Sequence, residues 1–90
     1  MDMQIYRKQI DAIDDELIRL FKERMSIACE IALYKKEHNL PVFDAAREEE
    51  KLAVIAEKAG GELGPYARKL YALLFELSRA HQEGIVRENG

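Results

Sequence analysis

Residues 3–38 read MQIYRKQIDAIDDELIRLFKERMSIACEIALYKKEH, and one spacing inside them decides the fold. Counting from Ile10 in alternating steps of three and four gives Ile13, Leu17, Leu20, Arg24, Ile27, Ile31 and Tyr34. An a/d pattern held over about four heptads marks a helix packed lengthwise on other helices. Arg24 stands where a leucine or isoleucine belongs, and Lys35 directly follows Tyr34. At 100° per residue, Arg24 and Lys35 lie about 20° apart around the axis and about 16 Å apart along it. A charge facing a packed seam costs several kcal/mol unless it is neutralised. Either acids of the chain or a small anion must answer these two cations. Arg24 paired with Glu48 or another acid, and Lys35 snorkelling at the helix end, are the purely structural answers.

Arg7 adds a constraint of reach. It precedes Arg24 by 17 residues, which places it about 100° around the helix and about 25 Å away along it. A small ligand held by Arg24 and Lys35 cannot also touch Arg7 of the same straight helix. If all three serve one ligand, Arg7 comes from a second copy of the chain, with the long helices antiparallel. By itself, Arg7 reads as surface charge near a helix end.

The totals point the same way. Ninety residues make one domain, 1–90, and a chain this short leaves much of its surface uncovered when it folds alone. A helix of about 35 residues spans about 50 Å, longer than a compact globule of this size is wide. Oligomerisation is the direct remedy. A net charge of -3 argues against a nucleic-acid footprint, which would be basic. The single cysteine, Cys29, rules out an internal disulfide and suits a reducing compartment. The N-terminus shows no secretory pattern, and the apolar run at residues 71–75 is far too short to span a bilayer. The expectation is a soluble, cytoplasmic protein without membrane or nucleic-acid partners.

Breakers are sparse: all five glycines lie at or after Gly60, and the prolines are Pro41 and Pro65. The first helix should end at Asn39-Leu40-Pro41, because proline disfavours the α conformation in the residue before it. Asp44 is a plausible N-cap for a second helix running to about Lys58 and stopped by Gly60-Gly61. Gly64-Pro65 opens a third helix carrying Leu70, Leu73, Leu74 and Leu77, with fraying expected beyond Gly84. No strand-period alternation and no repeat appears. The fold class is all-α, with helices in long, short, medium order.

Polar groups interrupt these stripes in register. Asp44, Arg47 and Glu48 share a face at i, i+3 and i+4, although Arg47 is the wrong sign for a helix N-terminus. Ser78 and Gln82 are i, i+4 neighbours on the line through Tyr71 and Leu74. His38 and His81 lack companions at metal spacing. No nucleophile–base pair or glycine-rich phosphate loop is present. Each feature alone has a plain structural reading as cap, dipole partner or polar edge. Together they are cations, one carboxylate and two neutral donors spread over three helices.

Four segments carry a resemblance: RKQIDAIDDELIRLFKER at 7–24, the run from Arg24 to Lys35, KKEHNLPVFDAARE at 35–48, and SRAHQ at 78–82, with Tyr66 twelve residues before Ser78. In these the chain resembles the all-helical chorismate mutase family over nearly its whole length. The resemblance implies three-helix protomers intertwined as a homodimer. It implies rearrangement of chorismate to prephenate, a step toward phenylalanine and tyrosine, with neither cofactor nor metal. Arg24 and the partner subunit's Arg7 would clamp the two carboxylates, supported by Arg47 and Ser78. Glu48 would accept the ring hydroxyl's hydrogen bond, with the Asp44 backbone nearby. Lys35 would reach a carboxylate and the ether oxygen, and Gln82 would donate to that oxygen. An isochorismate pyruvate lyase on the same scaffold is the nearest alternative. A non-catalytic helical dimerisation module is the other, and it requires acids opposite Arg24 and Lys35.

Overall fold

A computed structural model describes residues 2–88. Helix α1 spans Met3–Glu37, α2 spans Ala45–Ala59, and α3 spans Gly64–Glu88, with a single 3-10 turn, Gly61–Leu63, leading into α3. The described residues hold no strand. The all-α, long–short–medium order expected from the spacing is the order found.

Each helix end has a local cause. Asp2 caps α1 by accepting from the Gln4 amide at 3.1 Å. At the other end Asn39 takes the left-handed conformation, φ 55°. The Leu40 amide then reaches the Lys35 carbonyl at 2.8 Å, and the Asn39 amide reaches that of Lys36 at 3.3 Å. This is the Schellman closure, and asparagine tolerates the positive φ it needs. Asn39 therefore ends the helix before Pro41 has a say. Asp44 caps α2, accepting from the Arg47 amide at 3.0 Å. Gly60 closes α2 at φ 69°, ψ 160°, a conformation essentially reserved for glycine. Gly64 lets α3 start against α2: a Cβ there would lie 3.0 Å from the Ala56 carbonyl oxygen.

One expectation is corrected. Helix α3 does not fray at Gly84 but continues to Glu88. A mid-helix glycine costs about 1 kcal/mol, and the half-buried Ile85 and Val86 beyond it supply burial of a size to offset that.

Helix α3 packs against both α1 and α2, which do not pack on each other. The result is a slab of 56 × 27 × 14 Å. Its long axis is close to the length of α1, about 52 Å. The buried apolar residues are Ala28 and Ala32 of α1, Leu52 of α2 and Phe75 of α3. Small residues on α1 let α3 approach closely, but they make a thin core. The heptad seam stays open: Ile10, Ile13, Leu17, Leu20, Ile27, Ile31 and Tyr34 are all exposed, between 41% and 57%. A compact protein of this mass exposes about 5,400 Å², whereas this chain exposes 7133 Å². The radius of gyration is 16.4 Å, against about 12 Å for a compact domain. The long helix is not covered by its own chain.

Two substitutions test the local causes in urea denaturation. Asp44→Ala removes the α2 cap and lowers stability by about 1 kcal/mol, while Asp44→Asn retains most of it. Gly60→Ala, forced into the same backbone conformation, costs about 1–3 kcal/mol; an unchanged midpoint would mean the chain reverses differently there.

Candidate active site

The three helices and the connector at 38–44 line a half-open cavity of about 210 Å³. Helix α1 supplies Arg24, Ile31 and Lys35; the connector supplies Val42 and Asp44; α2 supplies Arg47, Glu48 and Lys51; α3 supplies Phe75, Ser78, Arg79 and Gln82. Seven of the eight residues singled out from the sequence therefore line one space. Arg7 does not. It lies exposed on α1, about 25 Å before Arg24 along the helix.

Arg24 is half-buried, with its guanidinium carbon 5.4 Å from the Phe75 ring centroid and 5.9 Å from that of Tyr71. Ring faces attract a cation and partly replace the water it has lost. No carboxylate pairs with Arg24 among the described residues. The structural alternative, a pair with Glu48, is not formed, because Glu48 is bound by Arg79 of α3.

Lys35 is also half-buried and donates to the Val42 carbonyl at 2.8 Å. That bond fixes the ammonium at the cavity wall and leaves two of its three protons for other acceptors. It forms because the Asn39 reversal folds the connector back over the last turn of α1. Arg47 and Lys51 project from α2 one turn apart, and neither forms an ion pair among the described residues. The Asp44 carboxylate is engaged in capping. Five cations face two carboxylates around the cavity, an excess of three positive charges.

Two neutral side chains form the opposite wall. Ser78 and Gln82 are 8% and 7% exposed, one helical turn apart on α3. The Gln82 amide nitrogen donates to the Ser78 hydroxyl oxygen at 3.1 Å. The Gln82 amide oxygen has no hydrogen-bond partner among the described residues. A buried acceptor left unpaired costs about 1–3 kcal/mol; a half-turn of the amide would pair it with the Ser78 hydroxyl and point the nitrogen into the cavity instead.

Sequence reading missed Arg79, Lys51 and one contact. Arg79 neighbours Ser78 but sits 100° off the Ser78–Gln82 line, so no stripe marked it. Lys51 falls three residues after Glu48, on the same face, and that spacing was the available signal. Cys29 Sγ lies 3.0 Å from His81 Nε2, a contact between helices with no trace in linear spacing. No three potential metal ligands converge among the described residues, and no described helix is long and apolar enough to cross a membrane.

Comparison with known proteins gives one consistent family. The family described as chorismate mutase type II matches residues 6–83. The T-protein of Haemophilus influenzae is 39% identical over 57 residues, covering 60% of this chain and 15% of that protein. The bifunctional chorismate mutase/prephenate dehydratase of Buchnera aphidicola is 30% identical over 87 residues, 93% of this chain and 22% of that protein. The chorismate mutase of Methanocaldococcus jannaschii is 40% identical over 42 residues, 47% of this chain and 42% of that protein. The chain thus spans less than half the length of each of these relatives, and no solved structure matches it at the same stringency. With the match running through all three helices and every wall of the cavity, the chain belongs to the chorismate mutase type II family.

Proposed function

We propose that this chain rearranges chorismate to prephenate. The observation that carries the reading is a cavity where Arg24, Lys35, Arg47 and Lys51 have no acid partner among the described residues. They face a buried serine–glutamine wall that presents an N–H donor once the Gln82 amide is turned. Such a site suits a small, doubly negative molecule with an ether oxygen between its charged groups.

The reaction is a concerted [3,3] shift: the ether C–O bond breaks while a C–C bond forms, with no proton, nucleophile or external electron required. Two tasks fall to the protein. The enolpyruvyl arm must be folded over the ring, which is a matter of holding both carboxylates in fixed positions. Arg24 does this from one side through forked guanidinium bonds, supported by Arg47 and Ser78. Glu48 accepts from the ring hydroxyl, with the Asp44 backbone nearby. The second task is to stabilise negative charge on the ether oxygen as its bond breaks. Lys35 is anchored for this by Val42, with protons to spare. Gln82 serves after a half-turn of its amide: the Ser78 hydroxyl then donates to the amide oxygen, and the nitrogen faces the ligand. Because two ends of an amide are exchanged, no backbone motion is needed.

The reading includes a homodimer. The open seam on α1 runs into an apolar groove of about 360 Å³ lined by Leu17, Leu20, Phe21, Leu70 and Leu74. The surplus exposed surface, about 1,700 Å² per chain relative to a compact protein of this mass and so about 3,400 Å² for two, falls in the range that obligate homodimers bury. A second α1 laid antiparallel along the seam brings the partner subunit's Arg7 toward Arg24 and Lys35, completing the clamp.

The direct test offers the purified protein chorismate and, separately, isochorismate. Prephenate from the first supports the proposal; salicylate and pyruvate from the second alone would favour the lyase. Lys35→Ala and Gln82→Ala each lower kcat by about 10²–10³, measured by loss of chorismate absorbance. Mixed Arg7→Ala and Lys35→Ala chains recover part of the activity through heterodimers with one complete site. No recovery from chains shown to exchange would sink the crossed-site arrangement.

A further inference from the structure

Arg79 differs from the other cations of the cavity. Its guanidinium on α3 is hydrogen-bonded to Glu48 Oε1 on α2 and lies 4.5 Å from the Phe43 ring centroid in the connector. Three separate elements meet at this one group. The pair is shielded, with side-chain exposures of 26% and 23%, whereas the surface pair Arg19–Glu16 stands at 59% and 58%. Glu48 Oε2 has no hydrogen-bond partner among the described residues.

We propose that Arg79 is a positioning residue for Glu48. On its Phe43 shelf it ties down one carboxylate oxygen, so that the other meets the ligand's ring hydroxyl already in place. This rests on the chorismate reading of the cavity. A free glutamate has three side-chain torsions to immobilise when it binds, and each immobilised side chain subtracts from affinity. Arg79 meets that cost before the ligand arrives. The pairing also cancels Arg79's charge locally, so the two ligand carboxylates are left to the unpaired cations. Arg79 therefore governs recognition of the hydroxyl more than of the diacid.

A pair of bicyclic ether diacids mimicking the transition state, one with the ring hydroxyl and one without, separates these roles by calorimetry on the full chain. Arg79→Met weakens binding of the hydroxylated diacid by about tenfold and the deoxy diacid clearly less, the smaller loss reflecting the unbalanced charge of Glu48. In a Glu48→Gln background, Arg79→Met adds no further loss on either ligand. Arg79→Lys keeps the charge over Phe43 without the planar fork. It gives a smaller loss confined to the hydroxylated form, which serves should the methionine chain fold poorly. Equal losses on both diacids would overturn the proposal, because Arg79 would then be holding carboxylates or the fold. So would no loss on either. If the wild-type chain converts chorismate and these outcomes still occur, only the role of Arg79 fails. If it neither converts chorismate nor binds the diacids, the reading of the cavity fails and this role with it.

Discussion

Positive charge held against apolar surface without an acid to balance it is the constraint on which this structure turns. Removing a cation from water is costly, and folding usually avoids that by pairing it. Here Arg24 rests on the faces of Phe75 and Tyr71, and Lys35 on a single carbonyl. Neither arrangement neutralises a charge; both merely hold it in place. The two carboxylates that line the cavity are committed elsewhere, Glu48 to Arg79 and Asp44 to the α2 cap. The deficit is thus a property of the whole arrangement, since releasing either acid would undo a cap or an interhelix tie.

The second constraint is length. A helix of 35 residues is shared between a site at one end and a long apolar seam that α3 covers only in part. Burial by the chain itself is confined to places where small side chains permit close approach, Ala28 and Ala32 among them. Leu17, Leu20 and their neighbours are left for another surface. In the proposed dimer the same helix is at once scaffold, interface and, through Arg7, part of the neighbouring site, so stability and substrate grip draw on one set of residues.

The sequence revealed helices more readily than their ends, and stripes more readily than what lies between them. Periodicity placed α1 because its seam repeats over many turns. Asn39 was placed at the end of α1 but the stop was credited to Pro41, because a left-handed closure depends on one residue's backbone freedom and leaves no repeating mark. Gly84 was over-weighted for the opposite reason: local propensity is plain in the sequence, while the burial of Ile85 and Val86 that offsets it is tertiary. In the site, Arg24, Lys35, Glu48, Ser78 and Gln82 stood out as polar breaks in apolar lines or as members of a shared face. Arg79 broke no line. Its importance comes from Phe43 and Glu48, which are 36 and 31 residues earlier in the chain and meet it only after folding.

The cavity's three surplus positive charges sit in a chain whose overall charge is -3, so the remainder carries six more acids than bases. An approaching dianion therefore meets two fields of opposite sign. Beyond the screening length, about 8 Å at physiological ionic strength, both fields are damped, so the attraction is felt only close to the mouth. Salt then acts unequally on the two stages, damping the repulsion in open solvent more than the pull inside. Capture becomes a short-range event, governed by diffusion to a small mouth rather than by steering from a distance.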